Sequence, residues 1–305
     1  MIEYFTEARK KHHRHLELRL RADYTDGTVL GNSETVRQGI NKIIGYAGSR
    51  AGLPFPSCCS VKVAADGPAF SLNLEGDPGP FLEVSPAEDG SIAMYRLVLA
   101  LKLLPTKFFG TEQALRWMEL AKFPPFGGLL DQALAALEDP TGYESMSKIL
   151  IRLVEERIPL SDTATILKTV VSAGPVAPGD DALWSIVEDV RVALKDASAR
   201  YYVDYYVCRD AYAAGSDLLA ALETPGGLEQ AGDAICRVAA ALDSTFILVV
   251  NRPERRRHLW EVTESLFTGS RLNRPAVVLK SSEISSKVSL PDRRREIRLV
   301  PASGV

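Results

Sequence analysis

The run SKILIRLVEERIPLSDTATILKTVV, from Ser147 to Val171, restricts what this chain can fold into more than any other part of it. Apolar residues recur at helical spacing on both sides of a proline. Ile149, Leu150, Leu153 and Val154 share one face of a first helix; Ile166, Leu167, Val170 and Val171 share one face of a second. Pro159 ends the first helix, because it has no N–H to donate and it steers the residue before it out of helical geometry. The corner Ile158-Pro159-Leu160-Ser161 then turns the chain. Ser161 is placed to accept from the free N–H groups of the second helix, and Asp162 to complement its dipole. Four charges, Arg152, Glu155, Glu156 and Arg157, crowd the end of the first helix. Both apolar stripes must be buried, so a bent helical hairpin wedged between other lobes is expected.

On either side of the hairpin the periodicity changes. Residues 1–15 form a lead segment ending in Lys10-Lys11-His12-His13-Arg14-His15. Leu16 to Leu20 alternates apolar and charged residues, as a half-buried strand does. Ser33 to Ala51 reads as a helix with Ser33 at its cap and Val36, Ile40, Ile43, Ile44 and Ala47 inward. After the stiff turn Gly52-Leu53-Pro54-Phe55-Pro56, strands at Ser60–Ala64, Phe70–Glu75 and Phe81–Val84 are separated by Gly and Pro. Residues 16–90 are therefore an N-terminal α/β subdomain. Residues 91–173 form a helical subdomain, with helices at 91–104, 111–121, 128–138, 144–157 and 162–172. Residues 174–180, rich in Gly and Pro, are a linker. Residues 181–305 carry a helix over 180–199 and then alternate. Strands are expected at 201–207, 245–250, 276–280 and 296–300, and helices at 227–242, 253–267 and 281–288. Such alternation implies a parallel or mixed sheet with helices packed on it. The expected fold class is thus mixed α/β (α+β) in several subdomains.

Composition excludes more than it assigns. The chain has 305 residues, 46% apolar and 25% charged, with a net charge of −3, so nothing recommends nucleic acid or an anionic membrane as partner. The apolar stretch Ile92 to Leu104 holds Arg96 and Lys102 and is too short to span a bilayer. The first twenty residues carry charges where a signal peptide needs its apolar core, so a cytosolic chain is expected. The cysteines Cys58, Cys59, Cys208 and Cys236 match no zinc spacing and suit a reducing compartment.

His12, His13 and His15 are too close in sequence to converge on one ion, and a solvated segment is favoured. His258 has no nucleophile motif beside it, and a surface position is favoured. No nucleophile elbow, phosphate-binding glycine loop or zinc-protease motif occurs, so neither catalytic residues nor a cofactor or metal are assigned. Arg252, Arg255 and Arg256 stand where a strand end meets a helix start, a place where α/β sheets hold ligands. They are the candidate partner or anion surface. The loop lacks glycines to wrap an anion, so a solvated basic face is favoured. The hairpin could pass for a DNA-reading helix pair, but Lys168 is the one cation of its second helix, too few for phosphates and base edges. Arg152, Glu155, Arg157 and Asp162 place opposite signs on a corner expected to be exposed, which suits a repeated subunit contact, although solvated pairs within one chain are favoured as the single explanation.

The hairpin, with its apolar helix, charged end, Ile-Pro-Leu and Thr-Ile-Leu, resembles the cytosolic domain of the large export-gate protein of flagellar and virulence type III secretion systems, the FHIPEP family. FFGTEQALRWMEL at Phe108 to Leu120, DDALWSIVEDVRVALKDA at Asp180 to Ala197, and VRQGINKIIGYAGSRAGLPFPSCCSVKV near the N-terminus are similar to further stretches of that family. The resemblance implies a helical subdomain between α/β subdomains. It also implies a non-enzymatic platform that forms a homo-oligomeric ring, nine-fold in typical members. Such a platform binds export substrates, chaperones and other export-apparatus proteins. Family members carry a membrane-embedded N-terminal half that this sequence does not contain, so membrane association would come only through such a half. The chain is read either as a cytosolic portion of an export gate or as a soluble relative serving as an adaptor in a signalling or defence complex. An enzyme with a degenerate site near Asn251–Arg256 is the least favoured alternative. Of the family's functional surfaces, only the corner Arg152 to Asp162 carries over.

Overall fold

A computed structural model describes residues 16–22, 33–53, 59–74, 80–85, 109–138, 142–175, 179–198, 212–214, 227–240, 246–250, 256–268, 276–283 and 295–296. The expected lead segment 1–15, the helix at 91–104 and the strand at 201–207 lie outside these residues, as do Cys58, Cys208, Arg252, Arg255 and the inward side chains named for 33–51. The chain divides into two compact units, Met1–Val190 and Arg191–Val305. Among the described residues no helix is long and apolar enough to cross a membrane.

The first unit opens with strand β1 (Leu16–Arg21), helix α1 (Ser33–Ala51) and strands β2 (Cys59–Ala64), β3 (Phe70–Leu74) and β4 (Pro80–Val84). The sheet order is β2-β1-β3-β4. β1 lies parallel to β2, which requires a crossover, and α1 is that crossover, packed against β2. β3 runs antiparallel to both β1 and β4. Pro80, which cannot donate to a ladder, sits on the edge strand. On β1, Glu17 is paired with Arg19 and with Lys62 of the neighbouring strand. The Lys62 hydrogen bond, followed by the Arg19 bond, holds its carboxyl below the ordinary carboxylate range.

Helices α2 (Thr111–Ala121), α3 (Gly127–Ala136), α4 (Gly142–Glu155) and α5 (Thr163–Ser172) follow. α2 packs on α4, and α3 on α4 and α5. Their apolar stripes meet in a buried core that includes Leu115, Met118, Leu130, Leu134, Met146, Ile149, Leu150, Ile166, Leu167 and Val170. α3 and α4 stop two residues short of the ends expected from periodicity. The reason is backbone conformation: Glu138 has φ 58° and Arg157 φ 63°, and neither can continue a right-handed helix. α6 (Asp180–Ala193) carries the boundary between the units and ends in a turn rather than continuing to residue 199; a further helical turn covers 195–198.

The second unit is built on an all-parallel sheet of β5 (Tyr212–Ala214), β6 (Phe246–Val250), β7 (Ala276–Lys280) and β8 (Arg295–Glu296), in the order β7-β6-β5-β8. Helix α7 (Gly227–Ala240) connects β5 to β6, and α8 (Arg256–Thr268) connects β6 to β7. β7 is buried over Ala276 to Leu279, and α8 covers it with Leu259, Val262 and Leu266. The helix expected over 281–288 is a short 3-10 turn at Ser281–Glu283 in its described part.

Candidate functional site at the helical corner

The corner is made of two helix endings that close on each other. At the end of α4, Arg157 turns the chain into the left-handed region. The Ile158 N–H then donates to the Leu153 carbonyl at 2.8 Å, and the Arg157 N–H to the Val154 carbonyl at 2.9 Å. These two bonds define a Schellman cap; here a residue other than glycine holds the left-handed position. Ile158 and Leu153, both buried, supply the apolar contact that accompanies the motif, and Pro159 follows to stop any continuation.

The end of α1 is built the same way. Gly52 has φ 70°, and the Leu53 N–H donates to the Gly48 carbonyl at 2.8 Å. Gly52-Leu53-Pro54 and Arg157-Ile158-Pro159 are therefore one pattern used twice: a left-handed residue, a buried apolar residue and a proline. The two endings interlock through backbone. The Leu160 N–H donates to the Ala51 carbonyl at 2.7 Å, and the Trp117 indole N–H donates to the Leu160 carbonyl at 3.4 Å. A Cβ on Gly52 would lie 2.4 Å from the Leu160 carbonyl carbon and 2.4 Å from the Ser161 nitrogen. Only glycine permits this approach.

The helix pair and its bend are as the sequence indicates. The exposure expected for its charges is not. Glu156 is 2% exposed and Arg157 4%, and the whole corner from Ile158 to Leu160 is buried, because it docks on α1 and α2. Arg157 therefore presents almost no surface to a neighbouring subunit, contrary to the contact expected of it. Arg152 and Glu155 are half-buried. The Arg152 guanidinium lies 4.6 Å from the Trp184 ring centroid, a cation–π contact with α6. Asp162, also half-buried, is the cap of α5: it accepts from the Thr165 N–H at 3.1 Å and from the Thr165 hydroxyl at 2.8 Å. The expectation of Ser161 as cap is corrected; Ser161 stands one residue early and is exposed. Val171, expected on the inner face, is half-buried at the edge of the stripe.

In the second unit, Arg256 is fully buried at the start of α8. It cannot belong to the solvated basic face expected with Arg252 and Arg255. His258 is exposed beside Glu261, in line with the surface position favoured for it. Among the described residues no group of three or more His, Cys, Asp or Glu is placed to hold a metal ion.

Sequence reasoning missed the joint between α1 and the corner. Its signal was present in the repeated left-handed–apolar–proline pattern, whose second copy hides an arginine where glycine is the usual marker. It also missed a buried pair in the second unit, where the Arg191 Nε and Glu283 Oε1 atoms are 2.7 Å apart across 92 positions of sequence.

No protein-family model matches the chain, and no curated protein matches it. Solved structures do. CdsV of Chlamydia pneumoniae has a TM-score of 0.67 at 14% identity, over 92% of this chain and 95% of its own. MxiA of Shigella flexneri has a TM-score of 0.64 at 14% identity, over 89% and 95%. The nonameric EscV cytosolic domain from the type III secretion system has a TM-score of 0.60 at 15% identity, over 92% and 96%. The chain has the mixed, multi-subdomain fold of these cytosolic export-gate domains.

Proposed function

We propose that this chain is a non-enzymatic docking and assembly domain of a type III protein export gate, working on the cytoplasmic side as a homo-oligomeric ring. One observation carries the reading: the likeness runs through nearly the whole chain and nearly the whole of each neighbour, including one solved as a nonamer. CdsV is also known in complex with CdsO, which supports a second export-apparatus protein as partner for this chain. Export substrates and their chaperones are the remaining proposed partners.

Ring formation by a repeated head-to-tail contact needs two different surfaces of one protomer. The proposed contribution of the corner is now limited to Arg152, Glu155 and Asp162, where side chains retain accessible surface. Light scattering coupled to size exclusion, with native mass spectrometry, tests the assembly. A species near nine protomer masses is expected as concentration rises, and Glu155→Arg weakens it without unfolding the protomer. A monomer at the highest soluble concentration, together with no capture of secretion chaperones or export-apparatus proteins, would overturn the reading.

A further inference from the structure

We infer that the buried ion pair Arg191–Glu283 stands in for a neighbouring strand along β7 and closes that edge of the parallel sheet to strand addition. β7 is the outermost described strand on its side, bonded to β6 from Ala276 opposite Phe246 to Lys280 opposite Val250. In a strand the N–H and C=O of one residue point to one edge, and those of the next residue to the other. Val278 and Lys280 therefore present their backbone groups to the same edge. Of these groups, the Val278 carbonyl and the Lys280 N–H are taken by the ion pair. Arg191 Nη2 donates to the Val278 carbonyl at 2.8 Å, and the Lys280 N–H donates to Glu283 Oε2 at 2.8 Å.

This is the bonding of a parallel neighbour. One residue of an added parallel strand would donate its N–H to the carbonyl of residue i and accept through its C=O from the N–H of residue i+2. Arg191 supplies the donor and Glu283 the acceptor at that spacing. A bidentate grip, Nε to Oε1 at 2.7 Å and Nη2 to Oε2 at 2.9 Å, holds the two side chains as one rigid unit. Arg191 is 1% and Glu283 4% exposed, so an incoming strand would have to leave two charges desolvated and unpaired. An unprotected edge is a template for pairing with other chains. A buried ion pair often adds little stability over apolar residues of the same size. Its use here is to end the sheet.

Residue-resolved amide hydrogen exchange on the full chain tests this. In the wild type, the Lys280 amide is protected to the same degree as the Val277 and Leu279 amides that face β6. In the double variant Arg191→Met/Glu283→Met, which keeps apolar volume in the core, Lys280 exchanges about ten to a hundred times faster, the factor a hydrogen bond to a charged group is worth, while Val277 and Leu279 change little. A labelled peptide copying β7 then binds the double variant and not the wild type, read by fluorescence anisotropy. The inference is overturned if Lys280 exchanges freely in the wild type, if it is unchanged in the variant, if all β7 amides lose protection together, or if the peptide fails to discriminate. Should the double variant not fold, the wild-type exchange pattern and the exclusion of the peptide by wild-type protein decide the matter alone.

Discussion

Replacing Gly52 by alanine strikes the joint where two helix endings meet. The cost has three parts. A Cβ at φ 70° is disfavoured by about 1–2 kcal/mol. The new carbon would sit 2.4 Å from the Leu160 carbonyl carbon and the Ser161 nitrogen, and 2.6 Å from the Leu160 oxygen. These are backbone atoms, so the corner itself must move by roughly 1 Å to reach ordinary carbon contact distances. That displacement breaks the 2.7 Å bond from Leu160 to Ala51, worth about 1 kcal/mol. It also strips the Trp117 indole N–H of its acceptor in a buried place, worth about 1–3 kcal/mol. The sum is about 3–6 kcal/mol. The assay is denaturant unfolding followed by fluorescence in a Trp260→Phe background, where the remaining tryptophans, Trp117 and Trp184, both belong to the first unit. Gly45→Ala, within the helix that Gly52 ends, is the control: a Cβ there meets nothing within 4 Å, and the variant should gain about 0.5–1 kcal/mol. If Gly52→Ala stays within about 1 kcal/mol of the wild type while Gly45→Ala behaves as stated, the interlocked endings are not what holds the corner.

Further outcomes are expected elsewhere. Asp162→Ala should destabilise the first unit by about 1 kcal/mol through loss of the α5 cap, and Ser161→Ala should leave it unchanged, as thermal melts will register. Glu283→Ala should cost the second unit about 3–5 kcal/mol in chemical denaturation, because it leaves Arg191 charged and buried without its carboxylate. The depressed carboxyl of Glu17 adds stability that is fully present above its unfolded value near pH 4.3 and is lost as pH falls through its lower folded value. Its partners Arg19 and Lys62 are 58% and 64% exposed, so the contribution is below about 1 kcal/mol, and Glu17→Gln should remove that part of the acid-side slope in a pH-dependent melt.

Much of the secondary structure was legible from the sequence because its causes are local. A stripe of apolar residues at helical spacing, a proline after it and alternation in a short run each act within a few residues. So the hairpin around Pro159, the helix Ser33–Ala51 and strands such as Ala276–Lys280 could be placed before any coordinates. The charges could not. Arginine carries the same letter whether it lies in water, as expected of Arg256 and Arg157, or in the interior, where both are found. Burial depends on which distant elements close over a side chain. The same limit hid the pairing of Arg191 with Glu283 and the seat that Gly52 provides for Leu160. Local patterning alone determined which segments coil, extend and turn. Only the tertiary structure decided which polar groups were taken from water and given partners, because desolvation is a property of the assembled neighbourhood and not of the residue.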